Sequence, residues 1–282
     1  MRMPTGLAAL AAVAMMPMAP VPAIAQRAVP SNPALDAALS AKIRDGDRAR
    51  DRYRHPRETL EFFGVEPGMS VVDYMPTGGW YSRILVPYLG KDGTYIGMNP
   101  DVSKETGYLA DTYGKLADTF PGEAAKWAPA DGARILAFNS DRPAAVPDGS
   151  VDRVLIFREV HNMFRFGWFY KDVMLMRKML KPGGMIGVID HRVAENAAFA
   201  RTDGSKGYMR ESDVIALFSA MGFDLVAKSE INANPKDPAD YKIGVWELPP
   251  NYAGAATDPA KKAQMDAIGE SDRMTLLFRK RP

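Results

Sequence analysis

Three histidines stand in the 282 residues, His55, His161 and His191. The last two share a setting. His161 follows the apolar run at 151–157 (VDRVLIF), and His191 follows the run at 185–190 (MIGVID). Runs of this length and composition read as buried strands. As neighbouring parallel strands they would set the two imidazoles about 5 Å apart on one rim, together with Glu159, Asn162 and Asp190. An imidazole beside a carboxylate can take a proton from a nucleophile while the carboxylate fixes its tautomer. His161 is therefore the first choice for a general base or an acceptor-orienting residue, with His191 and Glu159 completing the catalytic set. Either histidine alone is more readily structural; the shared rim is what argues for chemistry. The same nitrogen and oxygen donors suit several divalent ions, but no compact spacing such as H-E-x-x-H occurs, and no metal ligands are assigned. The chain lacks a G-x-S-x-G elbow and a phosphate loop ending in Gly-Lys-Ser/Thr, so serine hydrolase and kinase chemistries lack their reactive parts.

A second stretch, residues 71–85 (VVDYMPTGGWYSRIL), runs from an apolar strand ending in an acid, through two glycines, into an amphipathic helix. Gly78 and Gly79 remove side chains where a ligand would approach backbone, and the helix start would aim N–H groups at it. Asp73 could accept hydrogen bonds from an amino group. A glycine pair in isolation is as often a plain turn, and the full G-x-G-x-x-G of dinucleotide folds is absent.

The elements that must position these residues alternate. Strands are expected at 71–74, 94–98, 133–138, 151–157, 185–190, 223–228 and 274–279. Helices are expected at 34–43, after Pro56, from Trp80 to Leu89 with Gly90 as the stop, at 104–120 ending at Pro121-Gly122, at 168–180, and from a Ser212 cap to Met221. Apolar middle strands alternating with helices imply a mostly parallel sheet covered on both faces, an α/β fold. Ligands in such sheets bind beyond the carboxyl ends of the strands. Residues 232–272 interrupt the last strand pair and read as a lid or arm. Residues 42–58 (KIRDGDRARDRYRHPRE) read first as a solvated helix face with internal ion pairs; the alternative lays Arg52, Tyr53, Arg54 and His55 over a site mouth. Phe164, Phe166, Trp168, Phe169 and Tyr170 read as a seam between loop and helix, and Met174, Met176 and Met179 as helix packing.

The ordered series of acid-ended strand, glycine loop, PDGSVDRVLIF, FREVHN and MLKPGG resembles the class I S-adenosylmethionine-dependent methyltransferases. RHPRETLEFFGVEPGMSVVD, GGWYSRILVPYLG, FREVHNMF and DRMTLLFRKRP resemble the recurring blocks of an exported bacterial group of predicted methyltransferases. The resemblance runs from about Asp47 to the C-terminus. It implies a Rossmann-like, seven-stranded, mostly parallel sheet with helices on both faces and an antiparallel last strand beside the sixth. It implies S-adenosylmethionine as cofactor, held by Asp73, Gly78 and Gly79 on the methionine side. Asn99 stands where the ribose-binding acid is usual, with Asp101 close by; Asn139 falls in the adenine region and Arg158 after the fourth strand. Met75, Pro76 and Thr77 stand where the family pattern has a further glycine.

Composition frames these expectations. Apolar residues make up 46% and charged residues 25%, with a net charge of +2 and no cysteine. A core is affordable without staples, disulfides and thiolate metal sites are excluded, and no field favours nucleic acid. Residues 7–16 are a short apolar segment, and Ala23-Ile24-Ala25 a small-x-small pattern, so residues 1–25 read as a signal peptide cleaved after Ala25. A periplasmic or secreted chain follows, with no membrane span once the signal is removed. Residues 26–46 then read as linker and helix, and 47–282 as the methyltransferase-like domain with its insertion. The function expected is methyl transfer to a small-molecule acceptor. A non-catalytic binding protein that kept the fold, or a metal-assisted hydrolase at the same rim, are the alternatives.

Overall fold

Strict alternation with both sides apolar forces a strand to be covered twice. In β1 (Ser70–Tyr74), Val71 and Asp73 face one side, Val72 and Tyr74 the other, and all four are buried. The structure, a computed structural model, describes residues 32–142 and 146–282; the expected signal segment and its cleavage point lie outside them. Further strands are β2 (Thr94–Asn99), β3 (Arg134–Asn139), β4 (Val151–Phe157), β5 (Leu180–Val193), β6 (Met209–Arg210), β7 (Phe223–Ser229) and β8 (Arg273–Lys280). They pair in the order β3-β2-β1-β4-β5-β8-β7, and the two-residue β6 adds to the end of β5. β8 runs antiparallel to β5 and β7; the other pairings are parallel. The expected sheet with its antiparallel last strand is thus observed, with β6 as an extra short strand.

Strand order reverses between β1 and β4, which opens a crevice outside their carboxyl ends. One face of the sheet packs on the helices Val160–Arg165, Phe169–Met179 and Glu211–Ala220. The other packs on Pro33–Ser40, Pro56–Phe62, Ser82–Leu89 and Leu116–Ala125. Each fully buried aliphatic or aromatic side chain in these layers contributes about 1.5–3 kcal/mol. One contact has no slack: a Cβ on Gly187 of β5 would lie 2.6 Å from the Phe63 ring.

Four local expectations need correcting. The helix expected at 104–120 is two helices, Tyr108–Tyr113 and Leu116–Ala125, and the second runs through Pro121 and Gly122. Leu116, Phe120 and Ala124 share one buried stripe, and that packing outweighs the proline. Ser212 is not the cap of Glu211–Ala220; Arg210 is, and Ser212 donates its N–H and hydroxyl to Glu195. Residues 42–58 carry exposed charges and the expected internal ion pairs, Arg44–Asp51 and Arg48–Asp45, but are not one solvated helix face. They break into the short turns Lys42–Arg44, Arg48–Arg50 and Asp51–Arg54, with Arg44 and Arg54 buried. In the aromatic run, Trp168 and Phe169 are buried while Phe164, Phe166 and Tyr170 are exposed, so the seam is narrower than expected, and of the three methionines expected to pack, Met174 is exposed.

The 232–272 insertion builds a small core of its own. Tyr241, Val245, Leu248, Ala255 and Met265 pack with Val193 and Tyr208. Its helix, Pro259–Ile268, starts at a signal the sequence carries: Asp258 accepts from the N–H groups of Ala260 and Lys261, with proline in the first turn.

Candidate functional site

The glycine loop is built on strained backbone. Met75 has φ +52° and Thr77 +42°, conformations that cost non-glycine residues about 1–3 kcal/mol each. The surroundings hold them there. The Met75 N–H donates to Met98 O at 2.7 Å and its side chain is buried in the core, while Arg83 donates to Gly78 O at 2.8 Å. Arg83 is fixed in turn by both oxygens of Asp47, at 2.6 and 2.7 Å. Around Gly78 there is open space: apart from its chain neighbours, no heavy atom of the described residues lies within 4 Å of where its Cβ would be. Tyr81 stacks on Phe157 with ring centroids 3.5 Å apart, and Pro76 packs 3.5 Å from the Cβ position of Gly97. The loop's large residues thus wall the crevice and leave it open.

Three cavities meet at Thr77. One of about 500 Å³ passes Gly78, Gly79, Asn99 and Tyr113. A second, about 220 Å³, passes Asp73, Gly78, Tyr81, Arg54 and Arg158. The third, about 240 Å³, is lined by Arg158, Glu159, His161 and His191, with Trp246 and Ser271 from the insertion. Small-molecule sites usually occupy about 300–1,000 Å³, so the two smaller spaces are best read as parts of a larger one.

Two neighbouring carboxamides are half used: Asn99, which lines the first cavity, and Asn139, which borders none of the three. Asn99 and Asn139, paired in register across β2 and β3, each donate to Tyr113 O, at 2.9 and 2.7 Å, and Asn139 also to Pro100 O at 3.1 Å. Both Oδ1 atoms are buried without a partner among the described residues, leaving acceptors for a hydroxyl or amino group. Asp101 goes elsewhere. It binds Lys171 at 2.6 Å and Ser103, which hold its carboxyl well below the usual range, and it borders none of the three cavities.

Asp73 is buried and accepts from Tyr95 Oη at 2.8 Å and Ser82 Oγ at 3.4 Å. Burial pushes its carboxyl up to about 7, against the pull of those two hydrogen bonds.

The third cavity carries the polar network. Asp190 is fully buried; its Oδ2 accepts the His161 backbone N–H at 2.8 Å and its Oδ1 lies 2.9 Å from His161 Nδ1. With a proton on Nδ1, His161 keeps the Nε2 lone pair for the cavity. His191 Nδ1 lies 2.5 Å from Ser271 Oγ, and the two imidazole centroids are 5.2 Å apart. Burial, then His161 and Arg158, push the His191 pKa well below its ordinary value, so the ring is neutral. Glu159 accepts from Asn162 at 2.7 Å; burial pushes it up to about 7 against the opposing charge of His161. One ligand atom from each of His161, Asp190 and His191 falls within 4.8 Å of the others. Both Asp190 oxygens are engaged by His161, however, and Arg158 and Arg273 add positive charge close to His191.

The expected residues are therefore brought to the three cavities with two exceptions, Asp101 and Asn139. Sequence alone does not single out Thr77, Tyr113, Arg50, Glu270, Ser271 and Arg273, the last four of which depend on long-range docking of the insertion.

No protein-family model and no curated protein sequence matches this chain. Solved structures do match in fold. The geranyl diphosphate C-methyltransferase of Streptomyces coelicolor, determined with Mg2+, geranyl diphosphate and S-adenosyl-L-homocysteine, superposes with TM-score 0.52 at 12% identity, over 86% of this chain and 87% of that one. The [4+2]-cyclase SpnF superposes with TM-score 0.51 at 14% identity, over 81% of this chain and 80% of that one. One fold here serves both a methyltransferase and a cyclase, so chemistry must be argued from the site. What the likeness shows is architecture: the chain has the Rossmann-like fold of class I methyltransferases.

Proposed function

We propose that this chain is an S-adenosylmethionine-dependent methyltransferase for a small-molecule acceptor. One observation carries the reading: three cavities in series meet at Thr77, on the crevice where the sheet's strand order reverses. The residues fit the cofactor. Asn99 Oδ1 is an unmet buried acceptor beside the largest of these three cavities, suited to the ribose hydroxyls, and the space over Gly78 admits close approach to backbone. Asn139, in register with Asn99, carries a second acceptor without a partner among the described residues. Asp73, lining the second cavity, would lose its proton to meet a ligand ammonium.

The bound cofactor supplies an electrophilic sulfonium methyl. The chain's own work is to align the acceptor and manage its proton. His161, oriented by Asp190, presents Nε2 to the third cavity and receives the acceptor's proton; Glu159 and His191 flank it. Trp246 and Ser271 bring the insertion over this cavity and exclude water from it. The exported group, the cleaved signal peptide and a periplasmic or secreted location belong to the same proposal, as do the domain limits at 1–25, 26–46 and 47–282.

A binding protein without catalysis is the second reading, favoured by the diversion of Asp101 and by the use of both carboxamides to hold Tyr113 O. Calorimetric titration separates the two. S-adenosylhomocysteine should bind with micromolar affinity or better, and Asn99→Leu should weaken it about tenfold, the value of one buried hydrogen bond. Absence of binding to the folded chain defeats the methyltransferase reading.

A further inference from the structure

Four guanidinium groups collect around one carboxylate at the junction of the two smaller cavities. Glu270 accepts from Arg50 Nε at 2.7 Å, Arg54 Nε at 3.2 Å and Arg273 Nη1 at 3.0 Å. Arg158 is the fourth. It borders both cavities, and its guanidinium has no hydrogen-bond partner among the described residues. Donors are left over throughout the cluster: Arg50 Nη2, both Nη atoms of Arg54, and Arg273 Nε are buried without acceptors among the described residues. Arg54, only 1% exposed, lies with its guanidinium carbon 4.7 Å from the Trp80 ring centroid. The ring face takes up part of its charge but accepts none of its in-plane N–H groups.

Such an arrangement is costly in the absence of a ligand. A buried charged donor without an acceptor keeps its full desolvation penalty, and here the arginines exceed their one carboxylate by three positive charges. Two nearby acids, Asp73 and Glu159, are pushed by burial up to about 7 and offset this excess only in part at neutral pH. Asp47, the remaining acid of the second cavity, is engaged by Arg83.

We propose that the Arg50–Arg54–Arg158–Arg273 cluster seats an oxyanion, a phosphate or carboxylate carried by the acceptor, with Arg158 and Arg50 as its direct ligands. The anion site stands on the arginines; assigning it to the acceptor rests on the methyl-transfer function proposed above. The amino-acid end of the cofactor is a zwitterion and brings no net charge, whereas a phosphate brings up to two negative charges and three acceptor oxygens. Arg158 and Glu270 also border the cavity of His161, where the acceptor reacts.

The test is calorimetric titration of the full chain with inorganic phosphate, alone and after saturation with S-adenosylhomocysteine. Phosphate should bind saturably in both conditions. Arg158→Gln and Arg50→Gln, at partly exposed positions, should each weaken it about tenfold or more in samples shown to be folded by their urea transitions. No saturable phosphate binding to the folded wild type, or unchanged binding in both variants, overturns the site. Stoichiometric displacement of phosphate by S-adenosylhomocysteine overturns its assignment to the acceptor. Phosphate binding that persists where S-adenosylhomocysteine does not bind at all supports the anion site while removing the methyltransferase reading.

Discussion

Replacing Asp73 by asparagine tests whether burial governs the acid at the end of β1. The wild-type carboxyl is 2% exposed, accepts from Tyr95 and Ser82, and is pushed from 3.8 up to about 7. A group whose folded pKa is raised stabilises the fold most below its unfolded value, and that stability drains away as pH climbs through the folded value. Integrating between pH 5 and pH 8 with those two values, the wild type loses about 2–3 kcal/mol through this one group. An asparagine side chain keeps an acceptor for both hydroxyls and cannot ionise, so Asp73→Asn should lack this loss. The assay is urea denaturation of both proteins at pH 5, 6, 7 and 8. Glu159, which shifts in the same direction, is present in both and cancels in the difference. The gap between the two stabilities should grow with pH in favour of the variant. Parallel profiles would refute the reasoning, showing that the hydrogen bonds from Tyr95 and Ser82 keep Asp73 ionised throughout.

Two further outcomes follow from packing and the His161 network. Gly187→Ala drives a methyl into the Phe63 ring, with 2.6 Å available, and should cost about 1–3 kcal/mol, read as a lower urea midpoint at unchanged slope. Asp190→Ala strips His161 of both the acceptor for its N–H and the partner of Nδ1; it should destabilise by about 3 kcal/mol, with Asp190→Asn recovering part of the loss.

Much of the sheet was legible because its strands are short apolar runs punctuated by glycine and proline, and a run such as 151–157 has no other stable placement. The rim was legible for the same reason. Once 151–157 and 185–190 are adjacent strands, His161 and His191 must be neighbours. What stayed hidden depends on contacts far apart in sequence. Arg50 and Arg54 are separated from Glu270 by more than two hundred residues, and no local pattern distinguishes these half-buried and buried arginines from the solvated ones of the same run. Leu116–Ala125 runs through Pro121 because its apolar stripe is buried, which a local stop signal cannot convey. Asp258-Pro259 did announce a helix inside the insertion; the surrounding proline and glycine content masked it. Asp101 shows the opposite failure. Its position two residues beyond Asn99 suited the ribose, but Lys171, seventy residues away, takes its carboxylate.

The central claim is that one ligand-sized crevice, continuous across Thr77, holds a sulfonium nucleoside. A crystal structure of the full chain grown with saturating S-adenosylhomocysteine tests it most directly. The nucleoside should lie with its ribose within hydrogen-bond distance of Asn99 Oδ1, its sulfur beside Thr77, and the third cavity free in front of His161. Ligand density outside this crevice, or crystals of the intact fold that take up none, would contradict it.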